Sequence, residues 1–126
     1  MPMTFEELPG LSVSVDEVVF APQLTAPVDK PYPYAYFLSI HNESEEPVTI
    51  LGRKWIVKDA AGETLVVEGD GVVGQTPRLT PGETFSYNSY HVIGEPARAS
   101  GTFFGRTDSG RPIFVRIPEF KMEPPR

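Results

Sequence analysis

The sequence predicts an all-β protein in which about seven short antiparallel strands close as a two-sheet sandwich or a barrel. Glycine and proline occupy 25 of the 126 positions (11 + 14), which is more helix breakers than a helical bundle tolerates. No stretch repeats apolar residues at helical spacing, whereas several stretches alternate between apolar and polar residues. Hydrophobic residues make up 40% of the chain, so a single domain of this length can bury a core.

The predicted strands follow one another at the spacing of an antiparallel sandwich. In the first, Leu11, Val13 and Val15 alternate with polar residues, and the alternation breaks over 18–20, which indicates a bulge. Gly52 predicts a kink or bulge in the third strand. The seven predicted strands cover residues 11–20, 34–41, 48–59, 63–68, 83–92, 99–107 and 112–117.

Turns and loops separate these strands. The segments 59–62 and 108–110 predict tight turns, because each ends in a glycine, which adopts positive φ without strain. Four prolines make residues 21–33 a loop, and residues 69–82 are predicted as a second, long loop. Pro118 is expected to end the last strand.

One globular domain is expected over residues 11–122, followed by a short tail over 123–126. Residues 1–10 predict a flexible leader that forms a helical turn at most. The first 20 residues contain four acids and no Lys or Arg, so an export signal is not expected and the predicted location is the cytoplasm.

Composition excludes several classes of function. The net charge of −6 opposes a nucleic-acid groove, and the acidity is concentrated in the N-terminal part of the chain. Residues 1–50 hold eight acids and one base, which gives −7, whereas residues 51–126 hold nine acids and ten bases, which gives +1. The absence of cysteine removes disulfides, thiolate metal sites and thiol nucleophiles. No apolar run is long enough for a membrane span, and no cofactor is predicted.

The segment Gly69–Gly74 contains a literal G-x-G-x-x-G motif after a strand-like run. A dinucleotide site needs a helix after this motif, and Pro77 and Pro81 forbid one. Two interpretations remain open: a turn that needs positive φ, or a nest of backbone N–H groups for a small anion. The glycines that could form such a nest are Gly69, Gly71 and Gly74.

Support for metal binding or catalysis is weak. His41 and Glu43 share one face of a predicted strand, but zinc usually takes three or four protein ligands, so they are only weak metal candidates. No G-x-S-x-G nucleophile elbow is present, and the adjacent acid pairs face opposite sides of their strands. We therefore predict a protein that is not an enzyme.

Aromatic residues favour a protein-interaction role. Tyr32, Tyr34 and Tyr36 alternate with prolines and an alanine around the start of the second predicted strand, and they predict either core positions or anchors for a partner. Trp55 lies on the third strand, at a position that immunoglobulin-like sandwiches often bury. A sandwich also leaves edge strands that can pair with another chain.

Several short segments together resemble the ApaG (CorD) family. The first of these segments is Tyr34-Ala35-Tyr36, followed by Asn42, and the last lies close to the C-terminus. The resemblance as a whole covers about residues 11–122. The segments are Leu51-Gly52-Arg53-Lys54-Trp55-Ile56-Val57, Gly69 to Gly74, Pro77, Leu79, Pro81-Gly82-Glu83, Phe85-Ser86-Tyr87, Gly110, Phe114, Ile117-Pro118 and Phe120.

The resemblance implies a sandwich of the fibronectin type III or immunoglobulin-like kind. It also implies an association with cobalt resistance and magnesium efflux, a role as a protein-interaction module, no established enzyme activity, and a phosphate or pyrophosphate site at the glycine motif. The chain departs from the family pattern after Ser89, where Tyr90 replaces a glycine. Our expectation is an interaction module with an unidentified protein partner or a second copy, and the alternative is binding of a small anion or a divalent cation. The contact residues we expect are Trp55, Tyr90 and His91.

Overall fold

The computed structural model describes residues 4–125, and these form nine β-strands without a helix. None of the described residues forms a helix long and apolar enough to cross a membrane. Seven strands are seven to twelve residues long, and β1 and β6 contain two residues each. The strands are β1 (Glu6–Glu7), β2 (Leu11–Phe20), β3 (Tyr32–Asn42), β4 (Val48–Asp59), β5 (Thr64–Asp70), β6 (Arg78–Leu79), β7 (Thr84–Ile93), β8 (Ala97–Thr107) and β9 (Pro112–Met122).

The strands form two sheets that pack as a sandwich, which confirms the predicted fold class. One sheet has the order β1-β9-β8-β4-β5, with β6 paired to β4, and the other has the order β2-β3-β7. Strands β2 and β9 pack together and close one side of the sandwich. On the opposite side, β5 and β7 are the edge strands of the two sheets, and their outer edges carry no further strand of the described chain.

Apolar side chains from the inward faces of both sheets fill the core. The alternation in β3 points Tyr34, Tyr36, Leu38 and Ile40 inward, and β4 contributes Trp55 from the facing sheet. Burial of these side chains stabilises the fold at about 25 cal/mol for each Å² of apolar surface removed from water.

The predicted irregularities lie close to their expected places. The ladder between β4 and β8 shifts between Ile50 and Gly52, which confirms a bulge beside that glycine. The ladder between β2 and β3 shifts between Val15 and Glu17, ahead of the expected break. The turns at 59–62 and 108–110 form as predicted, with Gly62 and Gly110 at φ of 90°.

Three local predictions were wrong. Within the predicted leader, Glu6 and Glu7 pair in parallel with β9 instead of forming a helical turn, and Met1 to Met3 lie outside the described residues, as does Arg126 of the tail. Pro118 does not end β9, because it lies in a bulge where Ala99 pairs with Phe120 and Gly101 with Ile117. The predicted loop over 69–82 is interrupted, because β5 extends to Asp70 and β6 pairs with β4.

Candidate interaction edge and glycine loop

Strand β5 exposes three consecutive aliphatic side chains at the edge of the larger sheet. Leu65 is 44% exposed, Val66 is 50% exposed and Val67 is 38% exposed. Edge strands usually carry lysine, proline or a bulge that prevents pairing with another chain. β5 has none of these features, and its ladder with β4 is regular from Gly52 opposite Asp70 to Lys58 opposite Thr64.

The hydrogen bonds at both ends of β5 show which backbone groups face outward. At one end, the Asp59 N–H donates to the Glu63 carbonyl oxygen over 3.0 Å; at the other, the Gly71 N–H donates to the Leu51 carbonyl oxygen over 2.7 Å. The backbone N–H and C=O groups of odd-numbered β5 residues therefore form hydrogen bonds with β4. Because these groups alternate in direction along a strand, those of even-numbered residues point toward the free edge. The residues with free edge groups are Thr64, Val66 and Glu68.

Arg53 ends this free edge. Its Nη1 donates to the Asp70 carbonyl oxygen over 2.7 Å and to the Gly71 carbonyl oxygen over 3.1 Å. A Cβ atom at Gly69 would lie 2.8 Å from the guanidinium carbon of Arg53, so a larger residue there would displace this guanidinium from its present place. Arg53 was not among the predicted site residues; its place one residue after the bulge at Gly52 could have indicated it.

The glycine motif forms a tight turn after β5. The Val72 N–H donates to the Gln75 carbonyl oxygen over 2.7 Å, and the Gln75 N–H donates back to the Val72 carbonyl oxygen over 3.0 Å. Both central residues have positive φ, 49° at Val73 and 78° at Gly74. This is the geometry of a type I′ turn, in which a β-branched residue at the first central position is strained.

The geometry limits the amides that an anion could reach. Of the three predicted nest glycines, Gly69 and Gly71 direct their amides toward β4, and only Gly74 lies in the turn. The central amides of a two-residue turn make no bond within the turn, so Val73 and Gly74 supply the donors available there.

Trp55 lies in the core, and the half-buried His91 of β7 packs against it. Trp55 is 2% exposed, and its ring centroid lies 4.7 Å from that of His91 and 4.9 Å from that of Tyr36. Burial lowers the pKa of His91 to about 4. Both side chains therefore face the interior of the sandwich, and Trp55 offers no exposed contact to a partner.

This aromatic cluster contains polar atoms without hydrogen-bond partners. Among the described residues, the buried Trp55 Nε1, Tyr87 OH and His91 Nε2 have none. Burial also raises the pKa of Tyr87. Desolvation disfavours the charged forms of His91 and Tyr87, and no protein hydrogen bond to these atoms offsets it.

Tyr90 is the one predicted contact residue that reaches the surface. It is 39% exposed on β7, and the strand alternation points it away from the face that carries His91. Tyr90 and His91 were both expected as contact residues, but as neighbours within one strand they face opposite sides. Tyr90 therefore lies on the outer face of the smaller sheet.

His41 and Glu43 do not assemble a metal site. His41 Nε2 lies 2.9 Å from Ser14 Oγ, and its Nδ1 lies 3.1 Å from Thr84 Oγ1, while Glu43 is exposed beyond the end of β3. Across residues 4–125, no three His, Asp or Glu side chains are grouped so that they could hold a metal ion. The contact of Ser14 with His41 also lacks the third member of a catalytic triad, because Nδ1 meets a hydroxyl where a carboxylate is needed.

A cleft of about 300 Å³ opens between the sheets beside β5. Leu65 and Val57 line it from the larger sheet, and Val92 and Ile93 line it from β7. Lys30 and Glu63 are among the polar residues of its wall. A segment lying along β5 could therefore place an apolar side chain in this cleft.

Comparison with known proteins identifies the family. A sequence profile of the ApaG domain matches residues 22–106. The chain belongs to the ApaG family. It is 33% identical to Protein ApaG of Acidithiobacillus ferrooxidans (strain ATCC 53993 / BNL-5-31) over 119 residues, which cover 93% of this chain and 94% of the relative. It is 36% identical to Protein ApaG of Methylococcus capsulatus (strain ATCC 33009 / NCIMB 11132 / Bath), over 87% of this chain and 88% of the relative.

Solved structures agree with the ApaG assignment. A crystal structure of a Bordetella pertussis protein, described as ApaA, superposes with a TM-score of 0.82 and is 34% identical to this chain. The match covers 98% of this chain and 99% of that protein. The ApaG relatives are named as such and not as enzymes.

Proposed function

We propose that this ApaG protein is a non-catalytic interaction module that binds an extended segment of another chain along the free edge of β5. The observation that supports this most strongly is the run of exposed Leu65, Val66 and Val67 on an edge strand whose outward N–H and C=O groups are unpaired. A strand added there gains main-chain hydrogen bonds from the backbone and apolar contacts from alternate side chains.

Two substitutions at Val66 test this proposal, because the Val66 N–H points to the free edge. Val66→Pro removes that donor without breaking a hydrogen bond to β4, and proline is tolerated on edge strands. Val66→Thr keeps the donor and the β-branched shape, so it is the matched control. We expect both variants to fold and only the proline variant to lose binding.

The probe is a library of random linear peptides displayed on phage and selected on the wild-type protein. We expect enriched peptides to alternate apolar and polar residues, and to bind Val66→Thr as well as wild type. Binding to Val66→Pro should weaken at least about tenfold, the equivalent of about 1.4 kcal/mol and close to the net contribution of one hydrogen bond. Peptides that bind Val66→Pro undiminished would show that β5 is not the contact edge.

The alternative function is binding of a small anion at the turn over 72–75. The strain at Val73 favours this alternative, because strained backbone at a β-branched residue is often retained for function. The donors would be the Val73 and Gly74 amides, with the Arg53 guanidinium nearby on the Gly71 carbonyl.

A backbone amide NMR titration with pyrophosphate, magnesium and cobalt tests this alternative. Anion binding predicts saturable shifts centred on Val73 and Gly74 with pyrophosphate and no response to either metal. Shifts that remain flat with pyrophosphate would remove the anion function and leave the interaction module.

We propose that any role in cobalt or magnesium homeostasis acts through a protein partner in the cytoplasm. The support is that the weak metal candidates His41 and Glu43 do not come together in one site. In addition, both ring nitrogens of His41 already contact hydroxyl groups. A metal ion would have to displace both contacts to bind that imidazole.

A further inference from the structure

We infer that the occupant of the free β5 edge is a second copy of this chain, paired antiparallel about a twofold axis at Val66; this inference rests on the proposed function. The free edge contains Thr64, Val66 and Glu68, three residues placed symmetrically about Val66. An isologous interface needs such symmetry, because the same surface must match itself.

In this pairing, every outward backbone group on the free edge finds a partner. Val66 lies opposite Val66 of the partner subunit, and the two exchange N–H and C=O bonds. Thr64 lies opposite Glu68 of the partner subunit, and the same pairing repeats on the other side of the axis. At the C-terminal end of β5, Arg53 limits the free edge because it donates a hydrogen bond to the Asp70 carbonyl oxygen. At the N-terminal end, the turn at Gly62 limits it.

The side chains also match across the axis. Leu65 lies opposite Val67 of the partner subunit on the inward face, beside the cleft that Leu65 lines. No carboxylate faces another carboxylate, although β5 and its flanks carry only acidic charges. Glu68 already contacts Lys54 of its own chain at 3.6 Å, so its charge is partly compensated when it meets the threonine of the partner subunit.

Other registers lose part of this match. A centre at Glu68 places two copies of that carboxylate directly opposite each other, which destabilises a sheet pair. A centre at Val67 sets Thr64 against Asp70 of the partner subunit, whose carbonyl oxygen Arg53 occupies. A centre at Leu65 sets Glu68 against Gly62 of the partner subunit, within the turn.

Single cysteines test both the pairing and its register, because the native chain contains no cysteine. In Val66→Cys the two cysteines would lie directly opposite each other with Cα atoms about 5.5 Å apart, within the range for a disulfide. Thr64→Cys is the matched control, since the residue is exposed on the same face of the same strand. Its two copies would lie about 13 Å apart along the paired strands, too far to bridge.

In a glutathione redox buffer we expect Val66→Cys to form a disulfide dimer at least about tenfold faster than Thr64→Cys, because pairing raises the effective concentration of its thiols. Equal rates for the two variants would overturn the proposed register. Without any cysteine, wild type and Val66→Thr should sediment as concentration-dependent dimers and Val66→Pro as a monomer. A wild type that stays monomeric, or a Val66→Pro variant that dimerises as well as wild type, would overturn the second copy as the occupant.

The peptide selection separates this failure from failure of the proposed function. The wild type could stay monomeric while the selected peptides bind it and lose affinity for Val66→Pro. In that case β5 is an interaction edge, and its occupant is a different protein. If the wild type stays monomeric and the selected peptides bind Val66→Pro undiminished, β5 is not an interaction edge.

Discussion

A valine at position 71 should destabilise the protein by about 4 kcal/mol, which places it in the severe tail of single substitutions. Gly71 has a φ of 64°, a conformation that a β-branched residue adopts only with strain. Its Cβ would also meet the Gln75 carbonyl oxygen at a distance that real Cβ atoms do not reach. That oxygen accepts the Val72 N–H bond that closes the turn, and Val72 is fully buried, so neither can move aside cheaply.

Thermal unfolding measures this effect, and Gly74→Ala is the matched control. Gly74 has a φ of 78°, but no other atom lies within 4 Å of the place that a Cβ would take, so alanine there should cost only about 1 kcal/mol of conformational strain. We expect the melting temperature of Gly71→Val to fall by roughly 10 °C or more and that of Gly74→Ala by roughly 4 °C. Equal melting temperatures for Gly71→Val and wild type would show that the turn does not have this backbone.

Acidification from pH 6.5 to pH 4 should remove about 3 kcal/mol of stability through His91 alone. Burial among aromatic rings lowers the pKa of His91 to about 4 in the folded protein, whereas an unfolded histidine titrates near 6.5. The folded state therefore binds fewer protons than the unfolded state in this interval. The contribution of neutral His91 to the free energy of unfolding is complete above pH 6.5 and is lost as the pH falls through 4. Tyr36, Trp55 and Phe120 surround the ring and offer no hydrogen bond to its Nε2.

Denaturant unfolding between pH 4 and pH 7 isolates this effect when His91→Phe is compared with wild type. The phenylalanine removes the titrating group and keeps an aromatic ring in the cage, so its free energy of unfolding should depend less steeply on pH. His41→Gln is the control, because it removes the other histidine of the chain and keeps His91. A His91→Phe variant with the same pH slope as wild type would show that His91 is not buried in neutral form.

The seven long strands were predictable because each has a local signature. The alternation of Leu11, Val13 and Val15 and the glycines of the two tight turns define strands and their connections before any tertiary contact is known. The bulge near Gly52 was predictable for the same reason, since glycine in a strand interior marks an irregularity.

The missed strands depend on tertiary pairing. Glu6 and Glu7 are two exposed acids with no alternation, and their strand exists only because β9 lies beside them. Pro118 is compatible with β9 because it lies in a bulge, where no hydrogen bond from its backbone nitrogen is needed. Such a bulge depends on the neighbouring strand, so the local sequence does not predict it.

The candidate site was only partly predictable. The sequence indicated a strand over 63–68, but its apolar run does not show whether the strand is central or at an edge, and that follows from the strand order. The inward positions of Trp55 and His91 were not predictable, because aromatic and histidine side chains serve both in cores and at interfaces. The role of Arg53 depends on how the chain turns after Asp70, which no local pattern of residues specifies.

Hydrogen exchange along β5, followed by NMR as the protein concentration is raised, tests most directly whether its free edge is a contact surface. In dilute protein we expect slow exchange at the amides of Leu65 and Val67, which face β4, and fast exchange at Thr64, Val66 and Glu68. At high concentration the three fast amides should become protected while the rest of the chain is unchanged. The contradicting result is fast exchange of those three amides at every protein concentration, both in the presence and in the absence of the selected peptides. That result would show that β5 is not the contact edge.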